Sequence, residues 1–154
     1  MSNIVMANKM ADATKLPDLI FYSIDRAIRT YRQFSQKQIR EKGFDITIDQ
    51  WLVIKALLEN PGAKQQELAM IVLKDNASIT RIIELLVRNG WVERTVNPAD
   101  RRLVHLAVTA KAKEMLAVIE PLILANRKKA LKGIDEKLII NTKKILDQIT
   151  RNCS

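Results

Sequence analysis

The sequence predicts a mainly α-helical protein with a single two-stranded β-hairpin. Apolar residues recur at helical spacing on both sides of residues 91–108, and inside that stretch the spacing changes to the two-residue period of a strand. A chain of 154 residues, of which 47% are hydrophobic, can bury one sizeable core. We therefore expect a single domain, or a domain with an appendage.

Residues 1–46 are predicted to hold a tail and a first amphipathic helix. No basic start followed by an apolar run is found in residues 1–16, so we expect no secretion signal and a cytoplasmic protein. The apolar stripe of the helix, within Pro17–Gly43, consists of Ile20, Ile24, Ala27, Ile28, Tyr31 and Phe34.

Residues 47–109 are predicted to begin with two short helices and a tight turn. Thr47 to Gln50 fits a capping box, in which a hydroxyl and an amide satisfy backbone donors reciprocally, and it opens a helix that ends near Asn60. A second helix is expected over residues 65–72. A third begins after the N-cap Asp75 and stops at Gly90. Two short helices separated by a turn make a helix-turn-helix, whose second helix reads DNA.

The third helix has two unlike faces. Its buried stripe is predicted to be Ile79, Ile82, Ile83, Leu86 and Val87. The opposite face begins with Asn76 and Ala77 and continues through Arg81, with the small hydroxyls Ser78 and Thr80 beside it. Small side chains let a backbone approach the major groove, and an arginine can reach a guanine edge or a phosphate. Taken alone, the same face is more typical of an ordinary solvated helix, and the hairpin that follows shifts the balance towards DNA binding.

A basic hairpin follows this helix. Residues 91–96 and 103–108 are rich in branched and aromatic side chains and are predicted to pair as antiparallel strands. The turn between them carries Asp100, Arg101 and Arg102. We expect Asp100 to support the tip by holding one arginine, which leaves the other arginine to project. A local surface ion pair is the alternative interpretation.

Residues 47–112 resemble the MarR family of bacterial transcription regulators, which are winged helix-turn-helix proteins. The matching motifs are Gln66-Glu67-Leu68-Ala69, Thr80-Arg81, Gly90-Trp91-Val92-Glu93-Arg94, Asn97-Pro98, Asp100-Arg101-Arg102 and Val108-Thr109. The resemblance implies that Ser78, Thr80 and Arg81 lie in the major groove and that Arg102 enters the minor groove. Two positions depart from the family pattern: Lys64 replaces a hydroxyl N-cap, and Ala112 replaces a frequent glycine.

Residues 110–154 are predicted to form two further helices with broad apolar faces. The first spans residues 110–131, and the second follows Gly133 with apolar positions at Leu138, Ile139, Ile145, Leu146 and Ile149. These faces exceed what a small winged domain needs to cover. We expect the terminal helices of two chains to interleave in a homodimer, which the resemblance also implies, although helices folded back on their own domain are an alternative.

Composition narrows the function classes. A net charge of +9 favours a polyanionic partner, with nucleic acid the first candidate. His105 is the only histidine and Cys153 the only cysteine, and there are four glycines, so we expect no metal site, no cofactor and no enzymatic activity. The longest apolar runs are too short to span a bilayer, and no membrane partner is expected.

Three functions remain open at this point. The first is a homodimeric regulator, expected to be a repressor, that binds a palindromic operator in double-stranded DNA. The resemblance implies that a small aromatic effector releases such a regulator from DNA, as in many members of the family. The second is a winged-helix module that binds RNA. The third is a protein-docking module, which the polar face around Ser78 and Arg81 disfavours because docking surfaces usually expose apolar anchors. The sequence identifies no ligand-binding residues.

Overall fold

The computed structural model describes residues 15–100 and 104–154, and its elements follow the predicted order. Within those residues the fold is mainly α-helical with one two-stranded antiparallel sheet, which confirms the predicted fold class. After a 3₁₀ turn at Leu16–Asp18, the elements are α1 (Ile20–Glu41), α2 (Ile48–Glu59), α3 (Gln65–Ile71), α4 (Asn76–Arg88), β1 (Val92–Val96), β2 (Val104–Val108), α5 (Ala110–Ala130) and α6 (Glu136–Asn152).

The core lies around α2, which contacts α1, α3, α4 and β2. Helix α2 is apolar on most of its circumference, as expected of a helix surrounded by other elements. Val53 and Ile54 have no exposed surface, and Leu57 is 4% exposed. The other elements bury against it the side chains of Leu68, Ile79, Ile83, Leu86, Val92, Leu106, Leu116, Ile119 and Ile123.

Local capping signals fix where the helices begin. The predicted capping box at α2 is present: Gln50 N–H donates to Thr47 Oγ1 at 3.1 Å, and Thr47 N–H donates to Gln50 Oε1 at 2.9 Å. Lys64 offers no acceptor at the start of α3, and only the second half of a box remains, in which the Lys64 N–H donates to Glu67 Oε2 at 2.7 Å. These caps fix the residues at which α2 and α3 begin.

The terminal helices bury little of their apolar surface. Helix α1 buries Ser35 and Ile39, and Ser35 Oγ accepts a hydrogen bond of 3.2 Å from Asn126 Nδ2 of α5. No residue of α6 is buried, and its Leu138, Ile145 and Leu146 are exposed. Helix α6 therefore does not fold back on the rest of the described chain. None of the helices in residues 15–100 and 104–154 combines the length and the apolar character that crossing a bilayer would take.

Candidate nucleic-acid interface

The start of α4, the predicted reader helix, is fixed by Asp75 as expected. Asp75 Oδ1 accepts from the Ser78 N–H at 2.7 Å, and Oδ2 accepts from the Ser78 hydroxyl at 2.7 Å. The backbone hydrogen bond from Ser78, followed by that of its hydroxyl, holds the pKa of Asp75 below its usual value. Ser78 therefore supports the cap with its proton, and only its lone pairs remain available to a ligand.

The two faces of α4 are divided as predicted. Ile79, Ile83 and Leu86 have no exposed surface. Asn76, Ala77, Arg81, Glu84 and Arg88 are exposed, and Ser78 and Thr80 are half-buried at the edge of that face. The N-terminal half of the exposed face is thus small and polar with one long cation, a shape that fits the major groove.

Thr80 has a second role that the sequence did not indicate. Its hydroxyl donates to the Asn76 carbonyl at 2.7 Å and accepts from Gln65 Nε2 at 2.6 Å. Gln65 is the first residue of α3, so this contact joins the two helices of the helix-turn-helix. Most of the hydrogen-bonding capacity of Thr80 is used within the protein.

The wing is an antiparallel hairpin with the expected pairing. Val92 is opposite Val108, Arg94 opposite Leu106 and Val96 opposite Val104. At the tip, Asn97 Oδ1 accepts from the Ala99 N–H at 2.8 Å, which makes a tight side-chain turn. Asp100 is exposed. Arg101 and Arg102 lie outside the described residues, so their expected DNA contacts stay predictions.

The base of the wing is attached to α5 through Thr109. The Thr109 hydroxyl donates to the Gly90 carbonyl at 2.9 Å and accepts from the Ala112 N–H at 3.2 Å. Gly90 has a φ of +69°, a conformation that glycine adopts without steric cost. One side chain thus joins the end of the reader helix, the wing and the start of α5.

A basic cleft adjoins the wing. It measures about 860 Å³ and is lined by residues of the α3 start and of both strands, including Lys64, Arg94 and His105. These side chains are exposed, and Gln65, which also lines the cleft, is the residue that donates to Thr80 of α4. Sequence reasoning missed them, because only the folding of the hairpin against α3 brings residue 64 near residues 94 and 105.

Asp49 makes an ion-pair cluster that the sequence also did not reveal. Arg32 Nη1 of α1 lies 2.9 Å from Asp49 Oδ1, and Lys74 Nζ lies 3.0 Å from Asp49 Oδ2. Partial burial would raise the pKa of Asp49, but the hydrogen bond and charge of Lys74, together with those of Arg32, hold it below the usual value. Asp49 is therefore ionised at neutral pH and bridges three parts of the fold.

The turn between α3 and α4 contains a strained residue. Leu73 has a φ of +55°, in the left-handed region that glycine favours, and its side chain is 89% exposed. The neighbouring Met70 and Ile71 are also exposed. Ile71 and Leu73 line a cleft of about 960 Å³ between α1 and the helix-turn-helix, whose other walls include Ile28, Leu52, Arg32 and Lys74.

Comparisons with known proteins agree with this geometry. A family model described as the MarR family matches residues 46–104. The transcriptional repressor MprA of Escherichia coli K12 is 30% identical over 115 residues, which cover 75% of this chain and 63% of MprA. The HTH-type transcriptional regulator YkoM of Bacillus subtilis is 28% identical over 123 residues, which cover 77% of this chain and 79% of YkoM. The chain thus spans less than two thirds of the length of MprA.

Solved structures with the same fold include two proteins with a known small-molecule ligand. Bordetella bronchiseptica BpsR, whose DNA binding is regulated by 6-hydroxynicotinic acid, has a TM-score of 0.80 at 17% identity, with 90% of this chain and 97% of BpsR covered. Rhodococcus jostii CouR bound to p-coumaroyl-CoA has a TM-score of 0.74 at 21% identity, with 89% and 95% covered. At these identities the likeness establishes the fold.

Proposed function

The chain belongs to the MarR family of transcriptional regulators, and from that premise we propose that it is a homodimeric repressor that binds a palindromic operator in double-stranded DNA. Each protomer inserts the start of α4 into a major groove, and the wing reaches the adjacent minor groove. No catalytic step belongs to this function. The described residues hold no cluster of three or more potential metal ligands from histidine, cysteine, aspartate and glutamate.

The exposed N-terminal half of α4 carries this proposal. Asn76, Ala77 and Arg81 are exposed at the end of a helix whose other face is locked into the core by Ile79 and Ile83. A rigid helix with a small, polar and cationic tip is what direct reading of base edges requires. Lys64, Arg94 and the net charge of +9 add the phosphate contacts that give affinity.

The terminal helices are proposed to form the dimer. Leu138, Ile140, Ile145 and Leu146 are exposed on α6, and Val118 and Leu124 are exposed on α5. Exposed apolar faces of this extent usually mark an interaction surface. A second copy supplies the same faces, so interleaved helices would cover both at once, and two reader helices would follow the two-fold symmetry of a palindrome.

A small aromatic effector is proposed to bind the cleft between α1 and the helix-turn-helix. Ile28, Leu52 and Leu73 supply apolar walls, and Arg32 and Lys74 supply cations at its edge. Ligand sites commonly combine apolar walls with a few charged groups. The 6-hydroxynicotinic acid that regulates BpsR and the aromatic acyl group of the p-coumaroyl-CoA bound to CouR support the class of compound. Calorimetry with 6-hydroxynicotinic acid tests the site: we expect heat of binding that Leu52→Asp abolishes, and no heat with the unsubstituted protein would contradict it.

RNA binding and protein docking are the competing functions. The small polar positions and the single cation Arg81 favour a groove over a protein surface, because the exposed N-terminal half of α4 carries no large apolar side chain. Competition between a duplex selected from a random pool and RNA of the same sequence separates DNA binding from RNA binding. Preference for RNA would contradict the proposal.

Arg81→Ala is the sharpest test of the reader helix. It should cost about 1–3 kcal/mol per half-site and relax specificity at one base position, if Arg81 contacts a base. Arg88→Ala is the matched control, because Arg88 is exposed in the last turn of the same helix. Equal small losses for both variants, with unchanged circular dichroism, would mean that Arg81 is only a surface charge.

A further inference from the structure

Three parts of the fold meet on one carboxylate. We propose that Asp49 is a positioning residue that fixes the angle between α1 and the reader helix α4, and so sets the spacing between half-sites that the dimer accepts. The inference rests on the proposed function, because half-site spacing has meaning only for a dimer on duplex DNA. It concerns how the protein measures its operator rather than which bases it reads.

The contacts of Asp49 are divided between its two oxygens. Arg32 of α1 binds Oδ1 at 2.9 Å, and Lys74 binds Oδ2 at 3.0 Å, so the two cations do not compete for one atom. Lys74 directly precedes Asp75, which caps α4 through Ser78. A movement of α1 relative to α2 is therefore passed through two short contacts to Lys74, which precedes the cap of the reader helix.

A neighbouring contact shows how α1 is otherwise held. The Gln36 side chain of α1 donates to the Ile46 carbonyl at 3.0 Å and accepts from the Ile48 N–H at 3.0 Å. That clamp ties α1 to the start of α2 but reaches no part of the turn before α4. Among the polar contacts of residues 15–100 and 104–154, the link from α1 to that turn runs through Asp49.

The cluster is better suited to fixing geometry than to adding stability. The side chains of Asp49, Arg32 and Lys74 are 33%, 37% and 26% exposed, and partly exposed ion pairs contribute little net free energy to folding. Hydrogen bonds between charged groups are nonetheless short and directional. Two of them, one to each carboxylate oxygen, restrict how the helix-turn-helix can rotate against α1.

In a dimer built from the terminal helices, this restriction becomes a property of DNA binding. The distance and relative rotation of the two reader helices depend on how each helix-turn-helix is set on its own α1. Half-sites that match such a dimer lie about one helical turn, roughly 34 Å, apart. Loosening the joint at Asp49 should let each protomer adjust to half-sites that are shifted by a base pair.

The experiment compares full-length variants on a set of operators. The duplexes carry identical half-sites whose centres are one base pair closer, at the optimum, or one base pair further apart. For Asp49→Asn, the ratio between affinity at the optimum and at shifted spacings should fall by about threefold, because a neutral amide keeps at most one of the two contacts and rotation is less restricted. Asp25→Asn is the control, since it removes an exposed ion pair with Arg29 that lies within α1.

The outcomes separate this inference from the proposed function. Unchanged spacing discrimination in a folded Asp49→Asn protein, with or without a lower melting temperature, would overturn the positioning role alone. A wild-type protein that binds no duplex, or binds all spacings equally, would overturn the proposed function and the inference with it. If Asp49→Asn fails to fold, Lys74→Gln removes one of the two contacts and must relax the spacing preference in the same direction.

Discussion

Replacing Leu73 by glycine should make the protein more stable. Leu73 has a φ of +55° in the turn between α3 and α4. The left-handed conformation costs an L-residue about 1–2 kcal/mol, and glycine is relieved of that cost. The new glycine also raises the conformational entropy of the unfolded chain, which lowers the free energy of unfolding by about 0.4–1 kcal/mol. Because the side chain is 89% exposed, little buried area is lost. The net gain should therefore lie within about 0–1.6 kcal/mol, with a central value of about 0.8 kcal/mol.

Thermal unfolding measures this gain. At this chain length it corresponds to an increase of roughly 1–4 °C in the melting temperature. All samples need one protein concentration, since the stability of a dimer depends on it. Leu73→Ala is the control, because alanine keeps the Cβ and the strain, and its melting temperature should not change. A lower melting temperature for Leu73→Gly would refute the reasoning and indicate that the leucine side chain packs against a second copy.

Four shorter predictions concern other parts of the chain. Thr80→Val should lower stability by about 1 kcal/mol and weaken binding to all operator sequences alike in gel shifts, because the hydroxyl mainly joins α3 to α4; a loss confined to one base position would contradict this. Ending the chain after Gly133 should yield monomer or aggregate by sedimentation, and a stable dimer would move the interface elsewhere. Cys153→Ser should leave the response of DNA binding to peroxide unchanged, since an isolated thiol lacks a resolving partner; loss of a peroxide response would contradict this. Arg102→Ala should weaken binding most at operators with A·T-rich flanks, where the minor groove is narrow, and equal losses with G·C-rich flanks would indicate a phosphate contact.

Features set by local sequence were predictable. The cap at Asp75 and the box formed by Thr47 and Gln50 depend on residues three apart, and both are present. The division of α4 into two faces follows from its spacing, as does the pairing of the two strands. In these cases the interactions that stabilise the local structure are between residues close in sequence. A sequence pattern is therefore sufficient to predict them.

Features set by long-range contacts were not predictable in the same way. The ion pairs of Asp49 were not predicted, because nothing in the sequence connects residue 49 to residues 32 and 74 before folding. Thr80 was expected to face DNA, and its contact with Gln65 depends on how α3 and α4 cross. The left-handed turn at Leu73 runs against the preference of leucine, so its position is imposed by the two helices that it joins.

Dimeric binding of duplex DNA through the reader helices and wings is tested most directly by a salt titration of a selected operator at measured stoichiometry. If each dimer neutralises roughly six phosphates, the logarithm of the association constant should fall with the logarithm of salt concentration at a slope of about −5. We expect two chains per duplex and half-sites about one helical turn apart. A slope near zero, or one chain per duplex at saturation, would contradict the proposed mode of binding.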